Sequence, residues 1–153
     1  MISAFSEQAL SGAEITVHGD GEQTRDFVFV DDVVRANILA ITTNDHTALG
    51  EAYNIGTSTS VSIRELAELI QDITDTDADI VHTDPRAGDI EHSEADIEKA
   101  SELLGYEPTV PIEAGLERTV ARFRNEREGV TRKFNGAARD RPSTTATSAR
   151  TST

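Results

Sequence analysis

Arg25 is the residue of this 153-residue chain whose surroundings most directly suggest chemistry. It stands between a glycine turn, Gly19–Asp20–Gly21, and an apolar run formed by Phe27, Val28, Phe29 and Val30. Glycines on both sides of Asp20 allow positive φ, so the chain can reverse tightly and expose amide groups. The planar guanidinium offers five donors and a permanent charge, which suits a diphosphate better than the point charge of a lysine. The run after it has strand length, and Asp31 and Asp32 stand where the N-cap of a following helix belongs. The pattern fits a phosphate clamp in front of a strand. It equally fits a surface turn whose arginine pairs with Asp26 or Asp20.

Periodicity supplies the elements that would position this turn. Ile2 to Leu10 reads as a short helix, and Ile15 to His18 as a strand that leads into the glycines. After the expected Phe27 to Val30 strand, Val34, Ile38 and Ile41 recur at helical spacing up to Thr42. Ala52 to Ile55 reads as the next strand. Ser62 and Glu65 form a capping box in front of a broad apolar helix face made by Ile63, Leu66, Ala67, Leu69, Ile70 and Ile73. Ile80 to His82 reads as a strand, and Pro85 to Asp89 as a loop. Ser93 is placed to cap a helix through Leu103 and Leu104 that Gly105 closes. A last helix opens at about Pro111 with Ile112, Leu116, Val120 and Phe123 on one side. No internal repeat is present.

Composition bounds the function classes. Only 37% of the chain is hydrophobic, and it holds 28 Asp plus Glu against 14 Lys plus Arg. Just two of those cations are lysines, Lys99 and Lys133. Such a surface repels nucleic-acid phosphates, and its self-repulsion calls for screening salt, so a halophilic setting is expected. No run approaches the length of a membrane-spanning helix, and Met1 to Leu10 lacks the basic and apolar regions of a signal peptide. Absence of cysteine excludes disulfides and thiolate metal sites. A cytoplasmic setting is the expectation. His82, Asp84, Asp89 and His92 match no metal-ligand spacing and read as solvated loop residues.

The charge is unevenly spread. Residues 1–125 carry 25 acidic and 8 basic side chains, whereas residues 126–153 carry 3 and 6. From Ser143 onward no apolar side chain exceeds alanine, so nothing offsets the entropy of ordering the backbone. The expected organisation is one domain over 1–125 and a disordered Ser/Thr/Arg-rich tail over 126–153.

In order along the chain, GDGEQTRDFVFVDDVVRA, AYNIG, the capped helix, PRAGD, KASELLGYEP and EAGLERTV resemble the C-terminal part of nucleotide-sugar epimerases and dehydratases, UDP-glucose 4-epimerase among them. These belong to the extended short-chain dehydrogenase/reductase family. The resemblance covers roughly residues 1–125. It implies an α/β fold of short strands alternating with helices, the C-terminal substrate-binding part of that architecture. By position, it implies that Arg25 and Arg86 grip the diphosphate of a nucleoside-diphosphate sugar, two forks on one pyrophosphate. Asn54 would hydrogen-bond the same region and Asp89 the ribose hydroxyls. Thr16 and His18 would line the base pocket, where an imidazole can stack on uracil or thymine with less surface than the family's usual ring.

The departures from the family set a further expectation. Such enzymes bind NAD on an N-terminal Rossmann half through a Gly-rich turn and carry a Tyr-x-x-x-Lys pair. The ten glycines here show no G-x-G-x-x-G or G-x-x-G-x-x-G spacing, and the residues four after Tyr53 and Tyr106 are Thr57 and Val110. No catalytic residue is therefore assigned, and the Rossmann half is expected to be missing. The sequence reads as the back portion of an NAD-dependent epimerase or dehydratase acting on UDP- or dTDP-sugars, with a separately encoded N-terminal half as partner. The alternative is a non-catalytic nucleotide-sugar-binding or interaction fragment.

Overall fold

The computed structural model describes residues 1–139, with side chains as far as Glu128. The architecture is α/β, with two small sheets. In the first, β1 (Ile15–His18) runs parallel to β4 (Ile80–Thr83), so that His18 stands beside Thr83 at the strands' C-terminal ends. In the second, β2 (Thr24–Asp26) lies between antiparallel β3 (Ser60–Ser62) and parallel β5 (His92–Ser93).

A first core forms where α1 (Ile2–Ser11), α3 (Ile63–Thr74) and α5 (Ile112–Arg139) pack together against β1. The reason lies in α3. Ser62 and Glu65 make the reciprocal capping box, and Ile63, Leu66, Ala67 and Ile70 are buried along one face. They meet Phe5, Ala9, Ile15, Val17 and Leu116. Each such leucine or isoleucine contributes about 1.5–3 kcal/mol on leaving water. A second, smaller core joins α2 (Val30–Thr42) to α4 (Glu98–Leu104) through Ala36, Ala100, Leu104 and Tyr106, with Ala48 from a 3-10 turn at His46–Ala48.

Two carboxylates stitch these regions together. Asp26 accepts the Thr57 amide at 2.9 Å, the Thr57 hydroxyl at 2.6 Å and the Ser58 and Ala95 amides at 3.2 Å. Asp32, buried in α2, accepts the Thr109 hydroxyl at 2.6 Å and the Thr109 and Val110 amides at 3.0 Å, just ahead of α5. Burial works against the Asp32 charge. The Thr109 hydroxyl, the two amides and Arg35 outweigh it and hold its pKa below the ordinary carboxylate value. Gly56 makes room for this stitching, because a Cβ there would overlap Ala95 and the Asp26 carboxylate.

Several expected boundaries move. The strand falls at Thr24–Asp26 instead of Phe27 to Val30, so Arg25 lies within it. Phe27 packs on the first core, while Phe29 lies over Gly115 and carries the Arg118 guanidinium 4.4 Å from its ring centre. The aromatic run thus serves packing between elements, and pairing falls to the polar TRD segment. Phe29 is the N-cap position of α2, with Asp31 and Asp32 in its first turn, where the helix dipole favours negative charge. Residues 52–55, expected as a strand, join neither sheet. Ser93 sits in β5 and α4 begins only at Glu98, although Gly105 does end it in the left-handed conformation, φ 64°. α5 passes through residue 126 without a break, so the expected boundary at 125/126 falls inside a helix and residues 126–139 are helical. The Ser/Thr-rich stretch from Ser143 lies outside the described residues. No helix among those described is long and apolar enough to cross a membrane.

Candidate functional site

The parallel pairing of β1 with β4 brings two loops to one end of the sheet, the place where open α/β sheets hold ligands. The glycine turn follows β1, with φ 75° at Gly19 and 80° at Gly21, and Gly19 donates its amide to Thr83 O at 2.9 Å. At Gly21 a side chain would also press on the Arg64 backbone nitrogen, 3.3 Å from its Cβ. The loop after β4 carries Arg86 and Asp89, turned by the Asp89 amide donating to Arg86 O at 3.2 Å. Between the loops lies a cavity of about 570 Å³ that His18, Gly19, Thr83, Arg86 and Asp89 help to line.

Polar contacts fix its walls. An Arg86 Nη2 donates to His18 Nε2 at 3.0 Å, and His18 Nδ1 lies 3.0 Å from Thr83 Oγ1. A guanidinium can only donate, so Nε2 is the accepting nitrogen and the imidazole proton belongs on Nδ1, donated to Thr83. The Gln23 side chain donates to His18 O at 2.8 Å and braces the turn from below. Arg25 reaches across from β2. Its Nη2 meets Asp89 Oδ1 at 2.5 Å while Nη1 donates to Thr24 O at 2.7 Å. Arg25 is therefore paired with the carboxylate three residues beyond Arg86, not with Asp20 or Asp26.

The lining is electrostatically divided. Asp20, Glu22, Asp84, Asp89 and Glu91 all border the cavity, against the single cation Arg86, with Arg25 just behind Asp89. An anionic group finds guanidinium donors at the Arg86–Arg25 corner, and the carboxylate side suits hydroxyl donors such as those of a ribose.

His18, Arg86 and Asp89 thus share one cavity, and Arg25 touches it through Asp89. The remaining two expected residues lie elsewhere. Thr16 faces α1, accepting from Gln8 Nε2 and donating its amide to Gln8 Oε1, each at 3.3 Å. Asn54 donates to Asp96 O at 3.2 Å and borders a separate hollow with Lys99 and Glu102. Sequence reasoning passed over Gln23 and Thr83, which support His18, and over the tethers made by Asp26 and Asp32. The register of β1 on β4 is what exposes Thr83, and it is not visible in either segment alone. Among the described residues no cluster of three His, Asp or Glu side chains is arranged to hold a metal ion.

Comparison with known proteins decides the family. Residues 1–56 match the NAD dependent epimerase/dehydratase family. A UDP-glucose 4-epimerase of Mycolicibacterium smegmatis is 37% identical over 126 residues, 82% of this chain and 39% of the relative. The crystal structure of UDP-glucose 4-epimerase with UDP-glucose from Thermotoga maritima superposes with a TM-score of 0.75 at 44% identity, over 82% of this chain and 39% of that one. The chain belongs to the NAD-dependent epimerase/dehydratase family. It spans about two fifths of the length of these epimerases. A UDP-glucuronic acid decarboxylase 1 of Xenopus tropicalis, 37% identical over 84% of this chain and 30% of the relative, shows that activity varies within the family.

NAD is the cofactor of the epimerase/dehydratase family, and the residues described here do not fit it. A dinucleotide site needs a strand that passes through a glycine turn into a helix N-terminus. The Gly19–Gly21 turn leads from β1 into β2 instead. α2 opens with Asp31 and Asp32, and the first amides of α3 are already engaged, those of Ile63 and Arg64 by Gln23 O and Gly21 O and that of Glu65 by the Ser62 side chain. Neither tyrosine is a free hydroxyl acid. Tyr53 donates to Ala48 O and Tyr106 to Gly56 O, at 2.7 and 2.8 Å. Burial, and then the Asp32 charge, push the Tyr106 pKa up, away from what proton transfer near neutrality needs.

Proposed function

We propose that this chain is the nucleotide-sugar-binding portion of an NAD-dependent epimerase or dehydratase acting on a UDP- or dTDP-sugar. In this reading, Arg25 and Arg86 hold the diphosphate, Asp89 the ribose hydroxyls and His18 the base. The observation that supports it most is the meeting of both arginine arms on one short loop, Arg86 within it and Arg25 bound to its Asp89, at the C-terminal end of two parallel strands. Thr16 and Asn54, assigned to the same ligand by family position, would join it only if a bound ligand drew them from Gln8 and Asp96. Redox chemistry and NAD binding belong to a Rossmann half that this reading places outside the described residues. The relatives named above handle UDP-sugars, which makes UDP the first ligand to test.

Titration calorimetry of the chain with UDP, UDP-glucose and dTDP-glucose tests the reading. Arg25→Ala and Arg86→Ala should each weaken binding by about 1.5–3 kcal/mol, roughly 10- to 150-fold, the worth of a charged hydrogen bond. Equal affinity in the unaltered chain and both variants removes the diphosphate assignment.

A further inference from the structure

The two arginines of the site are held in opposite ways. Arg25 meets a carboxylate, Asp89, so its charge is balanced at contact range. Arg86 shares its cavity with Asp20, Glu22, Asp84, Asp89 and Glu91, yet among the described residues it forms no ion pair. Its side chain is held instead by an uncharged acceptor, His18 Nε2 at 3.0 Å. A guanidinium surrounded by carboxylates falls onto one of them unless something aims it elsewhere.

A chain of hydrogen bonds supplies that aim. Arg86 donates to His18 Nε2, His18 Nδ1 donates to Thr83 Oγ1 at 3.0 Å, and the Thr83 hydroxyl donates to Val17 O at 3.4 Å. Every donor faces an acceptor, so the carbonyl at the far end fixes the direction of the whole chain. Val17 is wholly inaccessible within β1, which anchors that end in the first core. The backbone around the chain is equally fixed. Gly19 donates its amide to Thr83 O, and His82 Nδ1 donates to Gly19 O at 2.8 Å. Pro85, with its ring-locked φ, stands directly before Arg86. What remains adjustable is the Arg86 side chain, and His18 is the group that aims it.

We infer that His18 is a positioning residue for Arg86: its ring edge, set by Thr83, holds the guanidinium at the cavity without neutralising it. A carboxylate in that place would hold Arg86 as firmly but would balance its charge. One guanidinium donor is spent on His18, and the others stay available to an incoming anion. The ring face is left for a base, so the two tasks of His18 do not compete. The inference rests on the proposed function for the nature of the anion, whereas the hydrogen-bonded relay stands without it.

The test compares uridine with UDP by titration calorimetry, because the ratio of their affinities isolates what the diphosphate contributes. His18→Phe keeps a ring face and loses the acceptor. Its uridine affinity should stay within about twofold of the unaltered chain or exceed it, while the UDP-to-uridine ratio falls at least about fivefold. His18→Gln keeps an acceptor and loses the ring, so it should weaken uridine binding yet hold the ratio within about twofold. Thr83→Val leaves the ring in place but unfixed and should lower the ratio at least about threefold, and Thr83→Ser should restore it. A merely structural role for His18 would move uridine and UDP together. The free chain decides the relay with no nucleotide present. Nitrogen-resolved NMR at about pH 8, where imidazoles are neutral, should find the His18 proton on Nδ1, and Thr83→Val should lower that fraction. A proton held mainly on Nε2, or a ratio unchanged in both His18→Phe and Thr83→Val, overturns the inference. Equal affinity of the unaltered chain for uridine and UDP, with the proton on Nδ1, refutes the diphosphate reading alone.

Discussion

The two cores of this chain differ in how they are closed. The first sits between three helices and a parallel strand pair, and Ile15, Val17, Leu66 and Ile70 in it are wholly inaccessible. The second rests on three alanines, Leu104 and Tyr106, and its helix α2 turns four branched aliphatics to water. One region behaves as a finished domain interior, the other as half of one. Sequence hydrophobicity alone does not separate them, since Val34, Ile38 and Ile41 are as apolar and as periodic as Leu66 and Ile70. What separates them is whether a second layer is present to receive the face.

The largest expected effect breaks the finished side. Leu66→Ala should cost about 2–5 kcal/mol through lost burial and a residual cavity, whereas Leu39→Ala in the open core should cost about 1 kcal/mol because its site is already half wet. Urea melts of the two variants measure the contrast, and equal losses would erase the distinction between the cores. A middle-sized effect cuts the seam between them. Asp32→Asn should cost about 2 kcal/mol near neutral pH by weakening charged hydrogen bonds to Thr109 and Val110. The folded pKa of Asp32 is depressed, so its contribution is complete above the unfolded value of about 3.9 and disappears as pH falls through the lower folded value. Melts of wild type and variant should therefore converge below about pH 4, and a gap that persists in acid would contradict this account. The smallest effect concerns the whole body. Raising salt from about 0.1 to 1 M shortens the screening length from about 10 to 3 Å and should raise the melting temperature by a few degrees. No rise would remove self-repulsion as a term that matters for this acidic chain.

The sequence announced those elements whose signals are local. The Ser62–Glu65 box, the stripe of α3, the Gly105 stop and the strands at Ile15 and Ile80 all depend on neighbours within a few residues. The displaced elements depend on distant ones. Thr24–Asp26 became the strand because β3 and β5, 36 and 68 residues further along, offer backbone there. Ala52–Ile55 has the alternation of a strand, yet among the described residues no strand pairs with it. For the candidate site, family order brought Arg25, Arg86, Asp89 and His18 to attention. The Arg25–Asp89 pairing, 64 residues apart, and the turning of Thr16 toward Gln8 follow from sheet register and helix packing, which no single segment encodes.

The contact of Arg25 with Asp89 has a thermodynamic consequence for selectivity. With the pair joined, neither charge is left unbalanced, so a visitor that captures only the guanidinium strands a carboxylate, and one that captures only the carboxylate strands a cation. Under the proposed function, free phosphate or a bare nucleoside would be penalised in this way. A molecule carrying both an anion and a vicinal diol, correctly spaced, replaces both halves of the bond at once, so its binding energy should exceed the sum of its fragments.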